Sequence, residues 1–87
     1  MLGIRWTIGD VNPRGFQALR LSAWGAWRLF GSAARYRIYV NSVDVPRAVE
    51  LTGALPPGIE WRVAAAPDLP DWLASRLDAG LAEGVAW

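Results

Sequence analysis

Eight carboxylates, nine arginines and a few hydroxyls and amides are the groups with which this 87-residue chain could do chemistry. It holds no Cys, His or Lys. Thiolate and imidazole metal sites, Cys and His nucleophiles, the Ser-His-Asp triad, Schiff-base chemistry and a phosphate-binding loop ending in Lys are thereby excluded. Without Cys there is also no disulfide framework and no mark of redox compartment. Carboxylates and amides remain good partners for ribose hydroxyls and base N–H groups, and helix starts for phosphates. Four such residues stand at the ends of two predicted strands: Asp10 and Asn12 close the first, Asn41 and Asp44 the second. Asp68 follows the third. Taken singly, Asp44 and Asp68 read as helix caps and Asp10 as a turn residue; their convergence at one edge is what suggests a nucleoside pocket. The glycines give no dinucleotide fingerprint, since Gly9 and Gly15 lack the G-x-G-x-x-G spacing and Pro13 removes a backbone amide from the turn. A second constellation is Arg20, Trp24 and Arg28, spaced i, i+4, i+8, where guanidinium groups could stack on an indole and form a contact surface.

The elements that must position these residues follow from periodicity. Ile4–Val11 alternates as a strand, with Ile4, Trp6 and Ile8 on one face. Asn12-Pro13 is a helix start, and Gly31 a stop, for a helix over Pro13–Phe30. Its expected core stripe is Phe16, Leu19, Ala23, Ala26, Trp27 and Phe30. A second strand is predicted over Arg35–Val43, then a short helix over Val45–Thr52 stopped by Gly53. After the Pro56-Pro57-Gly58 turn comes a third strand, Ile59–Ala64. The last helix is predicted from about Leu69 to Glu83, with Leu69, Leu73, Leu77 and Leu81 in i, i+4 succession and Gly84 after it. Val85-Ala86-Trp87 reads as the apolar start of a fourth strand.

The order βαβαβα predicts an α/β fold: a three-layer half of a Rossmann-like parallel sheet, with helices on its faces. Eighty-seven residues support a single domain, residues 1–87, and no second core. The crossover rule leads us to expect the second strand beside the first and the third on the other side of the first. Ligands in such sheets bind at the carboxyl ends of the strands.

Charge narrows the partners. Residues 1–43 carry six arginines against Asp10 alone, whereas residues 44–87 carry three arginines against seven acids. The formal net charge is +1, so the sequence predicts a dipolar surface and no general nucleic-acid binding. No stretch approaches the apolar length of a membrane span, and Arg5 and Asp10 interrupt any signal-peptide core; a cytoplasmic location is expected.

The run TIGDVNPRGFQALRLSAWGAWRLFG followed by ARYRIYVNSV resembles the beginning of a bacterial GT-A-fold glycosyltransferase, of the nucleotide-diphospho-sugar transferase superfamily. The resemblance implies an incomplete N-terminal nucleotide-binding half, with Asp10, Asn12, Asn41 and Asp44 at the positions that touch the nucleotide. Members of that family hold a metal and the sugar diphosphate through a D-x-D motif. This chain has none, since Asp68 and Asp71 stand three apart and open a helix. The chain is therefore expected to hold no catalytic residue and no metal site, a divalent ion entering only through a downstream D-x-D. The rival expectation is a small α/β interaction module without enzymatic activity, using Arg20, Trp24 and Arg28. An open sheet edge, and an exposed apolar patch containing Trp24 or Trp87, predict self-association.

Overall fold

The structure, a computed structural model, describes residues 1–8, 13–40, 45–63, 70–80 and 85–87. Strands β1 (Leu2–Ile8), β2 (Ala34–Val40) and β3 (Ile59–Val63) form one parallel sheet. Helices α1 (Pro13–Phe30), α2 (Val45–Thr52) and α3 (Asp71–Ala79) alternate with the strands in sequence. The α/β character, the parallel sheet and the limits of α1 and α2 are those expected from the sequence.

The strand order is not. It is β1-β2-β3, which places β3 outside β2 rather than outside β1. Strand β2 suits the centre: five consecutive residues, Tyr36 to Val40, are buried. A parallel strand flanked by two others loses solvent on both faces and both edges, and Ile38-Tyr39-Val40 tolerates that. Both crossovers advance the same way across the sheet, so α1 and α2 share one face. There Ile4, Trp6 and Ile8 face Tyr36, Ile38 and Val40 in register, with Ile59, Trp61 and Val63 beyond. Phe16, Leu19 and Ala48 from the two helices close this main core.

The other face takes α3. Here the strands present Arg5 and Thr7, Arg37 and Tyr39, and Glu60 and Arg62. Long polar side chains fill the space above the sheet, so α3 approaches with small residues, burying Ala74, Ser75 and Ala79. Of the leucine stripe, Leu69 and Leu81 lie outside the described residues, Leu73 is half-buried and Leu77 is exposed. Helix α3 is also shorter than its leucine spacing suggests. Gly80, at φ 61°, ends it with its N–H donating to the Arg76 carbonyl (3.1 Å). Phe30, expected in the core stripe of α1, is exposed at the helix end.

Residues 85–87 return to the sheet. Ala86 bridges Leu2 in parallel along the edge of β1 away from β2. The Gly3 N–H donates to the Ala86 carbonyl (2.8 Å), and the Ala86 N–H to the Met1 carbonyl (2.7 Å). The close approach depends on Gly3, where a Cβ would lie 2.4 Å from the Trp87 ring and 2.7 Å from Val85. Gly3→Ala should therefore lower stability by about 1–3 kcal/mol, the usual range for overpacking. Gly25→Ala, in α1 with nothing near its would-be Cβ, should raise it by about 0.5–1 kcal/mol. Urea unfolding of the two variants beside the parent chain measures both.

Candidate functional site

Asp10, Asn12, Asn41 and Asp44 lie outside the described residues, as does Asp68. Within the described residues, Ile8 and Val40 are register partners at the carboxyl ends of adjacent parallel strands. Winding also reverses at β1. Helices α1 and α2 lie on one face with β2 and β3 to one side, whereas α3 lies on the opposite face and residues 85–87 return on β1's other side. In doubly wound sheets such a reversal opens a crevice beyond the carboxyl end of the strand where it occurs.

The arginine–tryptophan row on α1 is divided. Trp24 donates its indole N–H to the Ala54 carbonyl (3.0 Å), just past α2. Arg20 reaches the same place: its Nη1 would be 3.2 Å from a Cβ at Gly53. These two side chains thus join α1 to the end of α2, while Arg28 remains exposed. Trp24 still shows 39% of its surface, beside Leu21 at 69% and, further along, Leu29 at 79%. Among the described residues the guanidinium–indole contact is elsewhere, with Arg37 4.3 Å above the ring of Trp87. Trp87 is accordingly half-buried, not exposed.

That contact belongs to a polar ring between the sheet and α3. Arg37 Nε donates to Glu60 Oε2 (3.0 Å), and its Nη1 to the Tyr39 hydroxyl (3.4 Å). Tyr39 donates to Asp78 Oδ2 (2.9 Å), which also pairs with Arg62 Nε (3.0 Å). Arg62 Nη1 returns to Glu60 Oε1 (3.4 Å), closing the circuit. Beside it, Arg5 donates to Ser75 of α3, whose hydroxyl lies 3.1 Å from that of Thr7. Strand alternation puts Arg37 and Tyr39 on one face and Glu60 and Arg62 on one face; only the register shows that the faces coincide. Burial raises the Tyr39 pKa, donation to Asp78 raises it further, and Arg37 opposes both. For Arg37, burial works against the charge, but its bonds to Tyr39 and Glu60 raise its pKa overall. A tyrosine held protonated and carboxylates matched by guanidinium groups are poor general bases. The ring holds α3.

A cavity of about 320 Å³ opens at the amino ends of β2 and β3, lined by residues that include Trp27, Arg35, Tyr36, Glu60 and Trp87. It lies at the opposite end of the sheet from Ile8 and Val40. Its size is near the lower limit for a small-molecule pocket, but the fold already engages its polar walls. Tyr36 donates to the Gly31 carbonyl (2.6 Å), and Glu60 is held by Arg37 and Arg62. Among the described residues no group of carboxylates is placed to hold a metal ion, and no helix is long and apolar enough to cross a membrane.

In comparisons with known proteins, no family model, curated protein or solved structure matches this chain.

Tyr39→Phe removes the hydroxyl that joins Arg37 to Asp78 and should cost about 1–3 kcal/mol. Because the folded state raises the Tyr39 pKa, the stability linked to its proton is fully present below the ordinary tyrosine value near 10 and is lost as pH rises toward the folded value. Denaturant titrations from neutral to strongly alkaline pH should show that decline in the parent chain. The decline should be smaller in Tyr39→Phe.

Proposed function

We propose that this chain is the nucleotide-binding portion of a glycosyltransferase-like protein that transfers sugar from a nucleotide-diphospho-sugar. The observation that carries the reading is the reversal of winding at β1, because the expected crevice lies where Asp10 and Asn12 follow that strand. Asn41 and Asp44 follow β2 in sequence, whose last residue, Val40, is the register partner of Ile8. In this reading Asp10 and Asp44 accept from the ribose hydroxyls or a base N–H, and the Asn12 and Asn41 amides fix orientation. In this reading the start of α1 faces the diphosphate, because the positive end of a helix dipole favours an anion. Sugar transfer itself falls to residues outside this sequence, as does any divalent ion held by a D-x-D motif. The reading places the protein in the cytoplasm.

A second reading, a non-enzymatic interaction module, is favoured by the exposure of Leu21, Trp24 and Leu29 beside Arg28 on α1. The two separate in one experiment. Titration of the ¹⁵N-labelled chain with uridine and guanosine diphosphates should shift amide signals at residues 9–12 and 41–44. Asp10→Asn and Asp44→Asn should each weaken that binding about tenfold, as loss of a charge-assisted hydrogen bond does. No shift at these segments would remove the nucleotide reading and leave the module.

A further inference from the structure

Strand β3 ends the sheet on one side, and among the described residues nothing pairs with its outer edge. None of its five residues is buried, in contrast to β2. An open strand edge is a row of unmet backbone donors and acceptors, ready to pair with another strand.

The sequence of β3, Ile59-Glu60-Trp61-Arg62-Val63, is close to palindromic in chemistry. Ile59, Trp61 and Val63 pack toward the α1–α2 core. Glu60 and Arg62 lie on the α3 face, with side chains 45% and 38% exposed. Consider two copies pairing antiparallel about a twofold axis at Trp61. Glu60 of each copy then stands opposite Arg62 of the other, twice, and Ile59 stands opposite Val63, twice. The alternatives are poor. A slip that keeps the faces matched sets Glu60 against Glu60, or Arg62 against Arg62. An odd slip sets charges against apolar residues and turns one sheet over. Opposite charges directly across an antiparallel pair stabilise it, and like charges destabilise it. Both groups also have capacity to spare: a guanidinium has five N–H donors, of which Arg62 uses one toward Asp78 and one toward Glu60.

We infer that a second copy of this chain is the partner of the β3 edge, joined antiparallel about Trp61 with reciprocal Glu60–Arg62 pairs, so that two sheets become one. The interface is isologous and closes on itself, giving dimers rather than fibres. A five-residue ribbon buries less than a standard stable interface, so the dimer forms in the micromolar range or weaker. The inference does not depend on the nucleotide reading.

Sedimentation of the full chain across micromolar to millimolar concentration should show a monomer–dimer equilibrium. Amide exchange at residues 59–63 should slow as concentration rises. Glu60→Arg and Arg62→Glu should each weaken dimerisation about tenfold, by setting like charges opposite at two positions. An equimolar mixture of the two should recover a heterodimer, because every cross-strand pair is again opposite in sign. Glu60 also holds Arg37, so the exchange measurement on the unsubstituted chain carries the test if a variant fails to fold. A monomer throughout, a dimer with unchanged exchange at residues 59–63, or folded variants that stay monomeric when mixed would each overturn the proposal.

Discussion

The guanidinium of Arg37 is a buried positive charge in the middle strand, and much of the architecture answers to it. Burying a charge is costly unless it is paired and hydrogen-bonded. Glu60 comes from β3, Tyr39 from the same strand, and Asp78 from α3 through Tyr39, so meeting the requirement brings three elements together. The Trp87 ring covers the same group from residues 85–87. Each member of the circuit meets two others, so removing one costs both neighbours a bond, and the circuit ties α3 to the sheet through Asp78. The opposite face, with Phe16, Leu19 and Ile38, supplies the hydrophobic term.

What could be read from the sequence divides along the same line. Helices α1 and α2 were legible because their signals are local: Pro13 with Gly31, Pro46 with Gly53, and an apolar stripe at helical spacing. Strand faces were legible because alternation is local too. Strand order was not, since it depends on which strand can lose solvent on both edges, a property of the assembled sheet. Helix α3 misled for a related reason. Its leucines mark an amphipathic pattern, but the face it meets is occupied by Arg37, Tyr39 and Arg62, which leave room for Ala74 and Ser75. Of the candidate site, only the parallel adjacency of β1 and β2, with Ile8 beside Val40, followed from topology. The polar ring did not, because complementarity between Arg37 and Glu60 exists only once β2 and β3 are in register.

The two ends of the sheet differ in how their polar groups are used. At the amino ends of β2 and β3, Tyr36 and Glu60 are engaged within the fold around a small cavity. In sequence, the residues that follow β1 and β2 are rich in Asp and Asn: Asp10, Asn12, Asn41 and Asp44. Connections of this kind can change residues without disturbing a core, which is why scaffolds of this type keep binding groups there.

The bridge between Leu2 and Ala86 bears on how the molecule reaches this state. It joins positions separated by almost the whole chain, so the entropy of closing that loop must be met before the contact forms. The strands β1, β2 and β3 can associate through shorter loops. The Leu2–Ala86 closure is thus the longest-range pairing in the sheet, and it covers with residues 85–87 an edge of β1 that would otherwise present unmet backbone donors and acceptors.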